Sequence, residues 1–241
     1  MTIDIDFSCY NVEPSSTEPP KMVSADVPNS QTWFDIQQTK FCEVPVAANN
    51  EVSTTEFLQA TECMTTIFDL LGSAVFTPIK QDLVFNIGRV RIRHQEAPEI
   101  SATLQSLVKA ELSLKLHPGT DGLIWIVRGL DFMAHAFKAD LRTEQTDKEE
   151  HRSLVDSFKT SYDQTLAPYH NAFIRLIFKA AMNAAPKRKG LYKRLSGDGV
   201  SSQSIRESMQ EWTAALEKIV SILKEFLAGN EALNKWARTK V

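Results

Sequence analysis

Val75-Phe-Thr-Pro-Ile-Lys-Gln-Asp82-Leu-Val-Phe-Asn86-Ile-Gly-Arg89 reads as a helix with two distinct sides. At about 100° per residue, Ile79, Leu83, Ile87 and Val90 form an apolar stripe. Asp82, Asn86 and Arg89 fall within roughly 60° of one another beside it, at the rim of a core. An acceptor, an amide that donates and accepts, and a fixed cation can together grip a polyhydroxylated group. The same spacing also describes a solvated helix face, and the stretch alone does not choose between the two.

The helical period continues on both sides. Thr54 and Thr55 before Glu56 predict the start of a helix carrying Phe57, Leu58, Cys63, Phe68, Leu70 and Leu71, broken at Gly72-Ser73. Pro78 suits the first turn of the next helix, which ends before Pro98. A third is predicted over Ser101–Leu116, a stop at His117-Pro-Gly119, and a fourth over Gly122–Ala139. Charge-dense residues 138–152 read as a solvated connection and helix start. Helices follow over Ser153–Leu166 and Tyr169–Ala184, then a short turn at Gly190–Leu195 and a long helix over Ser204–Leu227. No useful strand alternation appears, so an all-α domain of seven or eight helices is expected over residues 31–241. Residues 1–30 are rich in Pro, Ser and acids, including Glu18-Pro-Pro20, and are expected to be a disordered tail.

Composition narrows the function. With 241 residues the chain can bury one good core, and its net charge of −3 argues against a nucleic-acid partner. Only 9 glycines favour long helices over a turn-rich fold. Cys9, Cys42 and Cys63 lack metal-ligand spacing and read as reduced thiols of a cytoplasmic protein. The acidic N-terminus has no apolar run, so no secretory signal is expected. The most apolar window, Gly122–Val127, is too short to span a bilayer. There is no nucleophile elbow, zinc motif, phosphate loop or dinucleotide fingerprint, so the expectation is a non-enzyme without cofactor or metal.

Four ordered blocks carry a resemblance: Val75–Lys80 with Asp82, Asn86 and Arg89; Leu123-Ile-Trp125-Ile-Val-Arg128-Gly-Leu130; Pro168-Tyr-His170; and Ile177–Pro186. The chain resembles the glycolipid transfer protein family, with its fungal heterokaryon-incompatibility branch the nearest, over roughly residues 32–230. The resemblance implies a two-layer helical sandwich of about eight helices. It also implies non-enzymatic transfer or sensing of glycosphingolipids such as glucosylceramide, galactosylceramide or lactosylceramide. In this family's pattern Trp125 would be the platform for the first sugar, and Asn86 and Arg89 its hydroxyl contacts. Asp82 and His170 would bind the ceramide amide. Taken alone, Trp125 reads as a core tryptophan and His170 as a satisfied interior or rim histidine. Phe68, Leu71, Val75, Phe76, Ile79, Phe132, Leu166, Phe178 and Met182 match the lipid-chain pocket, although spacing alone makes them ordinary core.

Three departures stand out. Phe85 replaces the family's usual glycine and is expected to crowd or reshape the head-group entrance. Arg89 replaces the usual Lys. Ala172 stands where relatives carry an exposed aromatic for membrane insertion, with Phe173 next to it. Lys187, Arg188, Lys189 and Tyr192 read equally as an interfacial membrane patch or as a solvated basic loop. Contact with membranes is expected to be reversible and peripheral, by a monomer, with a ligand-linked dimer left open. The alternatives are ceramide-1-phosphate transfer, disfavoured by Asn86 and Trp125 where cations would be wanted, and a lipid-sensing interaction protein without transport.

Overall fold

The computed structural model describes residues 31–142, 154–197 and 199–229. The expected disordered tail, residues 1–30, and residues 143–152 of the charged connection lie outside the described residues. The helices in chain order are α1 (Thr54–Thr65), α2 (Ile67–Leu70), α3 (Thr77–Glu96), α4 (Leu104–Glu111), α5 (Pro118–Leu141), α6 (Val155–Thr165), α7 (Ala172–Asn183), α8 (Arg188–Leu195) and α9 (Ser202–Ala228). Apart from the single turn of α2, the described residues form eight helices of eight or more residues. Among the described residues there is no strand, only isolated bridges such as Thr32 with Ser196.

The arrangement is the expected two-layer helical sandwich, and α5 is its central helix, packing on α3, α6 and α9. Its sequence explains why: Leu123, Ile126, Leu130 and Ala136 have no accessible surface, so the helix is enclosed rather than one-sided. At one end of the core Trp33, Phe34, Phe41 and Phe137 pack around Trp212 of α9, with ring centroids 5.1–5.9 Å apart. Each such buried side chain contributes about 1.5–3 kcal/mol. This cluster ties the segment before α1 to the last long helix.

Three boundaries in the first half of the chain depart from the period. The first helix breaks at Thr66, where the hydroxyl bonds back to the Cys63 carbonyl and accepts from the Trp33 indole N–H. The third shrinks to Leu104–Glu111, because Leu114 and Leu116 are exposed and gain nothing from helical placement. The fourth begins earlier than expected, at Pro118. The fully buried Glu111 carboxylate accepts from the Gly119 and Thr120 N–H groups at 3.0 and 2.6 Å and from the Thr120 hydroxyl at 2.7 Å. A carboxylate from the preceding helix thus caps α5, so the sequence that looked like a stop is a start.

Candidate head-group cleft

Asp82, Asn86 and Arg89 do share one face of α3, and packing against α5 decides how they sit. Gly122 of α5 meets α3 so closely that a Cβ there would stand 2.8 Å from the Asn86 carbonyl oxygen. Asn86 is buried, its amide donating to the Asp82 carbonyl at 2.8 Å. The Arg89 guanidinium donates to Asp121 of α5 at 3.0 Å and lies 3.5 Å from the Asn86 amide oxygen. Asp82 keeps an exposed edge. Even so, burial of its carboxyl raises its pKa above 3.8 by more than Arg89 and Asn86 lower it. The Asp121 carboxyl is raised by burial too, against the lowering effect of Arg89.

His170 arrives from a separate direction. A 3₁₀ turn at Ala167–Tyr169 precedes it, and its extended backbone (φ −90°, ψ 137°) interrupts the helix expected over Tyr169–Ala184. Arg175 holds that corner by donating to the His170 and Ala167 carbonyls at 3.0 and 2.7 Å. Asn171 then caps α7 by accepting from the Ile174 N–H. The buried imidazole has Nδ1 3.1 Å from the Tyr162 hydroxyl. Its pKa falls to about 4, through burial first and then the charges of Arg128 and Arg175, so the ring is neutral at physiological pH. Burial pushes the Tyr162 phenol up to about 12, so it keeps its proton. When that hydroxyl donates to Nδ1, the imidazole proton resides on Nε2, leaving a donor for the cleft.

The half-buried Trp125 ring lies nearly parallel to His170, at 16° with centroids 5.6 Å apart. The Arg128 guanidinium sits 4.4 Å from the Trp125 ring centroid and 3.7 Å from that of Tyr169. This cation–π stack fixes the indole plane. Burial lowers the Arg128 pKa to about 10, which leaves it a cation.

These pieces meet at one cleft of about 410 Å³. α3 supplies Pro78, Ile79, Asp82, Phe85, Asn86 and Arg89. α5 supplies Trp125, and the far wall is His170 with Ile174, Ile177 and Phe178. All five residues expected at a head group thus line the same cavity. Its chemistry is a carboxylate, a neutral imidazole, an amide and one guanidinium against aromatic and aliphatic walls. That combination suits a ligand with hydroxyls on one side and apolar carbon on the other.

The residues expected around lipid chains fall into two groups. Ile79 and Phe178 are half-buried and line the cleft, Phe178 with its centroid 4.7 Å from that of His170. Phe68, Leu71, Phe76, Phe132, Leu166 and Met182 are buried in the core. Val75 does not join them: it is 39% exposed in a single 3₁₀ turn that points Phe76 inward instead. The basic patch also needs correction. Phe173, Lys187 and Lys189 are exposed, but Arg188 and Tyr192 are 5% and 6% exposed. Both reach the buried Asp140 at 2.6–2.7 Å and are therefore unavailable as membrane contacts. A buried carboxylate needs such partners, and this one recruits them from α8.

Sequence reasoning missed Tyr162, Asp121 and the stacking role of Arg128. Their pairings span from 3 to 41 positions in the chain, and only the proximity of Arg128 to Trp125 gave any local signal.

Residues 52–197 match the sequence model of the family described as Glycolipid transfer protein. The chain is 42% identical over 212 residues to a glycolipid transfer protein of Aureobasidium melanogenum, covering 88% of this chain and 100% of that protein. It is 30% identical over 205 residues to a glycolipid transfer protein of Danio rerio, covering 82% and 91%. Its structure is similar to the crystal structure of HET-C2, a fungal glycolipid transfer protein, with a TM-score of 0.75 and 40% identity over 83% of this chain and 98% of that one. A single cleft built by the family's ordered sequence blocks, on this fold, agrees with those likenesses: the chain belongs to the glycolipid transfer protein family.

Proposed function

We propose that this protein carries a glycosphingolipid between membranes without altering it chemically. The observation that supports this reading best is the meeting of Asp82, Asn86, Arg89, Trp125 and His170 on one cleft. Trp125 stacks the apolar face of the sugar, and Asn86 and Arg89 bond its hydroxyls. Asp82 accepts from the ceramide amide N–H while His170 donates to its carbonyl. Leaving a buried amide unpaired costs about 1–3 kcal/mol, so the pair also selects ceramide over ester-linked lipids. The hydrocarbon chains enter between the helical layers, where Phe178 and Ile79 lead toward Phe132, Leu166 and Met182. Desorbing a chain costs about 0.8 kcal/mol per CH₂, so this apolar contact must be replaced almost fully.

Ceramide-1-phosphate is the runner-up, and the cleft's charge disfavours it. Among the described residues Arg89 is its one lining cation and is shared with Asp121, while Asp82 would repel a phosphate. Docking is peripheral: no helix among the described residues is long and apolar enough to cross a membrane. The exposed Phe173 beside the cleft, with Lys187 and Lys189, would meet the bilayer, and the cytoplasm is the compartment such thiol-bearing, reversible carriers suit.

Transfer of fluorescent glucosylceramide, galactosylceramide and ceramide-1-phosphate between vesicles tests the reading. The wild-type chain should move a glycolipid and not the phosphate, and Asp82→Val and Trp125→Ala should each abolish transfer with helicity intact. Undiminished transfer by both variants would refute the site; no transfer by folded wild-type protein would favour a signalling role.

A further inference from the structure

A second cavity, about 350 Å³, opens between α8 and the start of α9. Four cations line it: Arg188, Lys189 and Lys193 from α8, and Arg206 from α9. Two hydroxyls, Ser196 and Ser202, join them, and none of the described residues that line it is acidic. That concentration occurs in a chain whose net charge is −3.

The two guanidiniums are held from behind. Arg188 is clamped on Asp140, which also accepts from the Tyr192 hydroxyl. Arg206 donates to the Leu141 carbonyl at 2.6 Å. The two lysines are exposed at the rim. Ser202 is the first residue of the 27-residue α9, so the first turn of a long helix borders the same space. The exposed ammonium groups of Lys189 and Lys193, with Arg206 and the two hydroxyls beside them and Arg188 held back by Asp140, form a recognition set for a phosphate dianion. The glycolipid cleft, lined by other residues of α3, α5 and α7, plays no part in it.

We propose that this basic cleft binds a phosphate monoester, distinct from the lipid carried in the core. The phosphate can come from a phosphorylated lipid head group at a bilayer surface or from a soluble phosphate ester.

The test uses the full chain with phosphatidylcholine vesicles, alone or containing phosphatidylinositol monophosphate, and with the matching soluble inositol bisphosphate. The Lys189→Glu/Lys193→Glu variant should bind about 25-fold more weakly, taking each lysine as about fivefold. A control, Lys115→Glu/Lys218→Glu, makes the same charge change on exposed lysines elsewhere and should bind nearly as wild type. Unchanged melting temperatures in both keep folding out of the comparison. Binding of the phosphoinositide vesicles without the soluble ester assigns the phosphate to a lipid, binding of the soluble ester assigns it to a free ligand, and equal binding of plain phosphatidylcholine vesicles would count against the proposal. Failure of the wild-type chain to bind either, or equal losses in the two variants, would overturn the proposal.

Discussion

At the level of single residues, the cleft relies on groups held in one protonation state. His170, with its pKa at about 4, stays neutral well below the ordinary histidine value of 6.5. Between those values the unfolded chain binds the proton and the folded chain does not, so stability falls as pH drops from 6.5 toward 4. The expected loss is about 2 kcal/mol, discounted because the ring borders a solvent-open cleft. Asp82 opposes this over a part of the acid range, since its raised pKa favours the folded state as the carboxyl protonates. Denaturant titrations at neutral and acid pH should therefore show a steeper acid loss in wild type than in His170→Gln; equal slopes would mean that the imidazole is not buried as described. Phe85 is a second residue-level test. Its ring is 65% exposed yet lines the cleft, with the Arg89 guanidinium 5.8 Å from its centroid. Because 410 Å³ remain with the ring in place, the proposed head group would have Phe85 at its flank rather than be shut out by it. Phe85→Gly should lower transfer of lactosylceramide relative to galactosylceramide by about 3–10-fold, whereas a proportional fall for both lipids would make it a membrane contact only.

At the level of elements, the sequence was most legible where a period or a motif is local. The face of α3, the proline at its start and the run of α9 all follow from residues within a few turns of each other. What the period cannot give is the partner of a polar side chain on another helix. Glu111, Asp140 and Tyr162 carry no local mark of their partners, yet each is buried and engaged by a residue 8 to 52 positions away. The stop read at His117-Pro-Gly119 failed for this reason, because a carboxylate from α4 completes the first turn of α5. Glu111→Ala would leave those N–H groups and the Thr120 hydroxyl without their acceptor. It should cost about 3 kcal/mol in stability, measured by chemical denaturation. Glu111→Gln, which keeps one acceptor oxygen, should cost less. Gly122 follows one turn later against α3, so glycolipid transfer should fall in Glu111→Ala even where the protein remains folded. Full transfer by a destabilised variant would show that α5 positions Trp125 without help from its cap.

At the level of the whole molecule, the head-group cleft is open while the interior that would take the hydrocarbon chains is packed. Phe132, Leu166 and Met182 are each no more than 7% exposed, and Phe132 meets Phe158 edge-to-face at 5.9 Å. The layer order came with the family resemblance, but no sequence pattern distinguishes a core that stays shut from one that parts. Packing makes that distinction by showing which helix is held least. α7 buries only Ala181 and Met182, and its main neighbours are α6 and the 3₁₀ turn before α3. It also supplies Ile174, Ile177 and Phe178 to the cleft, so movement of α7 would connect the head-group site to the interior. By contrast, α5 is enclosed by three long helices and cannot move without dismantling the core. Hydrogen exchange should therefore find the α7 amides opening far more often than those of α5 in the lipid-free protein. Bound glycosylceramide should protect α7 selectively and raise the melting temperature, as expected for a ligand that binds only the folded state. Uniform protection along all helices, or none in α7, would mean that the chains enter by another route.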